Sequence, residues 1–66
     1  MTEEQKKTET VVLMLNSLNE DNRSLCLQNG MNPEDIERSI EQSQASLNFM
    51  LSNMYDKLKE ANVIES

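Results

Sequence analysis

Gly30 and Pro33 stand three residues apart near the middle of a 66-residue chain that contains no other glycine or proline. The stretches on either side therefore lack the two strongest interruptions of a helix. Both are rich in Leu, Met, Glu, Gln and Lys, residues that favour helix, and neither shows the period-two alternation of a strand. This pattern predicts an all-α antiparallel helical hairpin. A first helix covers about 2–29, a turn 30–32 and a second helix about 33–61, all within one small helical domain spanning 1–66.

The segment NGMNPED, residues 29–35, reads as the junction. Gly30 can take the left-handed conformation that ends a helix without steric penalty. Asn32 is suited to cap the next helix, and Pro33 to its first position, where a missing N–H costs nothing. Glu34 and Asp35 then face the positive end of the helix dipole. Met31 and Ile36 have the spacing of a hydrophobic staple.

Apolar positions in each half follow alternating steps of three and four, the seam of paired helices. In the second helix these are Ile36, Ile40, Leu47, Leu51, Met54, Leu58 and Ala61, with Gln44 as an interruption. In the first they are Val11, Leu15, Leu18 and Leu25, interrupted by Asn22. Folding back about the turn sets Leu25 against Ile36, Leu15 against Leu47 and Val11 against Leu51. Asn22 then falls opposite Ile40 and Gln44 opposite Leu18, so neither amide has a partner within the hairpin. They would lie at the wet edge of the seam or pair across a dimer. The Asn-rich stretch 16–22, with Ser17 and Glu20 spaced as a capping box, offers an alternative. A break near 17–19 would give three helices.

A chain this short buries a modest core, and small domains are commonly supplemented by disulfides, metal or a partner. Cys26 is the only cysteine and histidine is absent, so a disulfide is excluded and a metal centre disfavoured. No cofactor is expected. A protein partner, or a second copy in a four-helix-bundle homodimer, is the expected supplement. The net charge of −6 disfavours nucleic acid. No apolar run approaches the length of a membrane span, and the first residues lack a signal-peptide core. With one cysteine, these features suggest a cytoplasmic protein.

A helix advances about 100° per residue, which places Leu13 and Phe49 away from the seams. Val12, Met14, Met50 and Tyr55 flank the seams at a similar level. These six residues form the expected partner-binding set, because helices apolar on several sides are buried on several sides. Glu34, Asp35, Glu37 and Glu41 mark an acidic tip near the turn, and Ser39, Ser43 and Ser46 form a small-residue stripe. Catalysis is not expected: the commonest general base is missing, no phosphate-cradling glycine loop occurs, and Arg23 is the only cation near Cys26.

The predicted architecture resembles two groups of small hairpin proteins. One comprises the Rop-type plasmid copy-number regulators, four-helix dimers that bind RNA. The other comprises the small co-chaperones of type III secretion needle subunits. In those, a glycine, a nearby proline or small residue and an Ala-x-Leu-like patch on the second helix resemble Gly30, Pro33 and Ala45-Ser46-Leu47, here one residue out of phase. The resemblance transfers no functional residue. The expected function is a non-catalytic interaction module, a small regulator, adaptor or co-chaperone acting through apolar helix faces. The alternatives are a Rop-like RNA-binding regulator and an acidic antagonist of a nucleic-acid-binding protein.

Overall fold

A computed structural model of the protein describes residues 1–64 and consists of two helices, α1 (Glu3–Gln28) and α2 (Pro33–Glu60). They form an elongated hairpin of 41 × 18 × 17 Å. α1 runs without interruption through 16–22, so there is no third helix, and Ser17 and Glu20 lie inside it. Its capping box is at the other end of the sequence, in Thr-Glu-Glu-Gln. The Thr2 hydroxyl accepts the Gln5 amide at 3.1 Å, and the Gln5 side chain accepts the Thr2 amide at 2.9 Å.

The turn closes as a Schellman motif. Gly30 adopts φ +84°; its N–H donates to the Leu27 carbonyl and that of Met31 to the Cys26 carbonyl, both at 3.0 Å. Asn32 then caps α2, its side-chain oxygen accepting the Glu34 amide at 2.9 Å. A Cβ added at Gly30 would meet nothing within 4 Å, so only the backbone conformation resists a larger residue. Gly30→Ala is expected to destabilise the hairpin by about 1–2 kcal/mol in urea denaturation, and Gly30→Asn by less.

The same motif recurs unannounced at the far end. Asn62 takes φ 60°, its N–H reaching the Lys59 carbonyl and that of Val63 reaching Leu58 at 2.9 Å. This bend brings Ile64 back against a cluster of Val11, Leu51 and Tyr55, joined by Met14 and Leu15. Nearer the turn, Ile36 and Ile40 are buried separately.

Between these two apolar regions lies a polar one. Asn19, 8% exposed, exchanges hydrogen bonds with Gln44: Asn19 Nδ2 donates to Gln44 Oε1 at 3.3 Å, and Gln44 Nε2 to Asn19 Oδ1 at 3.1 Å. Gln44 Nε2 also reaches the Ile40 carbonyl at 3.1 Å. Gln44 is thus paired inside the hairpin, contrary to expectation, and its partner is Asn19. The seam of α1 runs through Val11, Leu15, Asn19, Asn22 and Cys26, while Leu18 and Leu25 are exposed. A straight helix repeats every 3.6 residues rather than 3.5, so its inward face drifts toward higher positions along the chain. The amide exchange allows that drift to bury Asn19 without leaving a polar group unsatisfied.

Candidate interaction surface

The six residues expected to bind a partner are brought to four different places. Leu13 and Phe49 are 70% and 68% exposed. Each lies about 160–200° from its own helix's seam, so they project from opposite outer sides of the hairpin. Val12 and Met50 are exposed on flanks, and Met14 is half-buried against the core cluster.

Tyr55 corrects the expectation outright: at 1% exposure it is the most buried side chain in the core, and Met54, expected in the seam, is half exposed. One step of phase along α2 separates the two outcomes. The aromatic ring packs in one cluster with Val11 and Leu51, while Met54 stays on the flank. No single partner surface can therefore contain all six residues.

A surface that the sequence did not single out lies along one flank of the seam. Leu18, Asp21, Asn22, Leu25 and Leu47 line a groove of about 290 Å³, predominantly apolar. Leu18 and Leu25 form it because they were displaced from the seam. On α1, Met14, Ser17, Leu18, Asp21, Ser24 and Leu25 fall within one arc of about 120°, by the advance of 100° per residue. On α2, Ser39, Ser43, Ser46, Leu47, Met50 and Met54 occupy an arc of about 100° on the same side as Leu47. From residue 8 to the turn on α1 and from the turn to residue 56 on α2, Asp21 is the only charged residue in these arcs; Glu3, Lys6, Lys7 and Lys57 fall in the same arcs at the terminal end of the hairpin.

The other flank is polar. Arg23 lies two residues from Leu25, about 200° around α1. It meets Glu37 through two bonds, Nε to Oε1 at 2.6 Å and Nη2 to Oε2 at 3.1 Å. At the terminal end of the hairpin, Lys7 pairs with Asp56 at 3.0 Å, and Lys59 with Glu3. The hydrogen bond from Arg23 holds the Glu37 carboxyl below the usual carboxylate range, and that from Lys59 does the same for Glu3. Reciprocally, Arg23 and Lys59 are raised by their carboxylate partners.

A depressed pKa in the folded state adds stability above the unfolded value, and that increment disappears as pH falls through the folded value. Glu37→Gln is therefore expected to lower the melting temperature slightly at neutral pH. The gap should close in acid below the ordinary carboxylate range, as thermal melts across pH would record. High salt should narrow it too.

The acidic tip is partly neutralised. Glu37 is engaged by Arg23, and Asp35 accepts from Arg38 at 3.4 Å one turn along α2. Glu34 and Glu41 border an open depression that Arg38 also lines. Cys26 is half-buried, its Sγ 3.4 Å from Asn22 Oδ1. Among the described residues, no group of acidic or cysteine side chains is arranged to hold a metal ion, and no helix is long and apolar enough to cross a membrane.

No family model, curated protein or solved structure matches the chain.

Proposed function

We propose that this protein is a non-catalytic interaction module whose groove-bearing helix face binds a protein partner, as a small regulator, adaptor or co-chaperone does. The observation that supports this reading is the groove itself. Leu18, Leu25, Met50 and Met54 stand exposed along one face whose central part carries a single charge, Asp21, beside half-buried Leu47. Contiguous apolar surface of this kind on a small chain is characteristic of binding sites, and its sparse charge matches the composition of interface centres. Methionines suit such a face because they adapt to the shape they meet. The lone Cys26 is consistent with work in a reducing compartment.

Leu13 and Phe49 are individually more exposed, but they face opposite ways and have no comparable apolar surround. The double variant Leu18→Ala, Leu25→Ala is expected to weaken association with the partner at least about tenfold, as truncation of central interface residues does. Leu13→Ala with Phe49→Ala should change it much less. Quantitative binding of purified variants, with helicity checked by circular dichroism, measures both. The reverse ranking would move the binding surface to the outer faces.

A further inference from the structure

We infer that the occupant of the groove is a second copy of this chain, seated face to face so that two hairpins form a four-helix bundle. The inference rests on the interaction reading above and names its partner.

The first argument is charge. Each chain carries −6, so two copies repel unless their carboxylates stay away from the contact. The groove face meets that condition. Over its turn-side and central part it presents one charged group, Asp21; the other charges in its arcs, Glu3, Lys6, Lys7 and Lys57, gather at the terminal end, where Glu3 and Lys7 are engaged in ion pairs joining the two helices. A different partner for so acidic a chain would be steered by complementary positive charge. Around the groove this face has one carboxylate, Asp21, with which to attract it. Like-on-like contact is favoured by a contact centre with little charge, and the groove with its serine and methionine borders supplies one.

The second argument is area. A stable interface covers about 800 Å² of each partner. The hairpin is 41 Å long and 18 Å wide, so a broad face offers roughly 700 Å² in projection and more as accessible surface. A single docked helix, about 10 Å across, would leave much of that width uncovered. Another hairpin of the same dimensions covers it.

The third argument is shape. Serines at 39, 43 and 46 border Leu47 and Met50 on α2, and serines at 17 and 24 border Leu18 and Leu25 on α1. Small side chains beside an apolar ridge allow opposing helices to approach at the usual 8–10 Å separation. Leu18 and Leu25 are spaced by seven, so a facing helix with the same spacing can interdigitate with them.

Sedimentation equilibrium on the full chain tests the inference. The expected result is a species of twice 7.6 kDa at micromolar concentration. Leu18→Glu and Met50→Glu, both at positions exposed in the single hairpin, should raise the dissociation constant about 100-fold or more while leaving helicity measurable at high protein concentration. Leu13→Glu and Phe49→Glu should leave the mass unchanged. A wild-type chain that stays at 7.6 kDa into the millimolar range would overturn the inference, as would a dimer dissociated by the outer-face pair but not by the groove pair.

A photo-crosslinking residue at position 18, used in the native cell, separates this failure from failure of the interaction reading. A monomeric chain that crosslinks to a different protein from position 18, and not from position 13, keeps the groove as a binding site and rejects the second copy. A monomeric chain with no adduct at position 18 rejects both.

Discussion

Tyr55→Ala is expected to abolish the cooperative unfolding transition of the hairpin or bring it close to collapse. Tyr55 is 1% exposed and joins Val11, Leu51, Met14, Leu15 and Ile64 in the largest apolar cluster. Removing a buried aromatic ring costs about 3–5 kcal/mol. A chain of this length has roughly 3–10 kcal/mol in total, so a single side chain accounts for a large share.

The companion substitution has the opposite sign. The Tyr55 hydroxyl is buried and, among the described residues, has no hydrogen-bond partner. A buried polar group left unsatisfied carries a penalty of about 1–3 kcal/mol. Tyr55→Phe keeps the ring and removes that group, so it should be neutral or should stabilise by up to about 1 kcal/mol. Urea titration followed by circular dichroism, at fixed protein concentration, distinguishes the two outcomes. A Phe variant markedly less stable than the parent would mean that the hydroxyl does find a partner in solution.

Asn19 and Gln44 supply the second large effect. Asn19→Ala strips Gln44 Oε1 of its partner while Nε2 keeps the Ile40 carbonyl, and Gln44→Ala leaves the buried Asn19 amide unmatched; each is expected to cost about 1–3 kcal/mol, the second the more. Replacing both with leucine removes the two polar groups together and should recover most of that loss, with a coupling of about 0.5–3 kcal/mol in the double-mutant cycle. Recovery should come with a loss of definition. The amide pair lies between two apolar regions and is satisfied only when position 19 faces position 44. A slid hairpin would bury unpaired amides, whereas a leucine pair tolerates several alignments. Broader amide resonances in the double-leucine variant, despite its stability, would be the sign of that tolerance.

The residues around the turn were legible because their roles are local. Gly30, Asn32 and Pro33 act within four residues of themselves, and each adopted the conformation or cap that its chemistry suggests. The seam of α2 was legible too, through Ile36, Ile40, Leu47, Leu51 and Leu58, because that helix is strongly amphipathic. α1 is much less so, and there the pattern misled. Leu18 and Leu25 complete an apolar three-and-four repeat, but burial went to Asn19 and Cys26. What decides this is a contact between residues 25 apart in sequence, which no local period reports.

Tyr55 was misplaced by one step for a related reason. Both Met54 and Tyr55 fit a helix face, and which one enters depends on the drift of the opposite helix. The groove followed from these two displacements, so it was out of reach until they were seen. Two end signals were present in the sequence and passed over: Thr2 three residues before Gln5, and Asn62 just beyond the last turn of α2.

The antiparallel register also sets an order in time. Arg23 and Glu37 are 14 residues apart along the chain, Lys7 and Asp56 are 49 apart, and the Val11–Leu51–Tyr55 cluster lies toward the latter end. Closing the longer loop costs about 1 kcal/mol more in chain entropy than closing the shorter one. Closure is therefore expected to start at the turn with Ile36 and Ile40 and to zip outward, the Tyr55 cluster docking last. Changes at Ile36 or Ile40 act mainly on how fast the chain folds, and changes at Tyr55 on how long it stays folded.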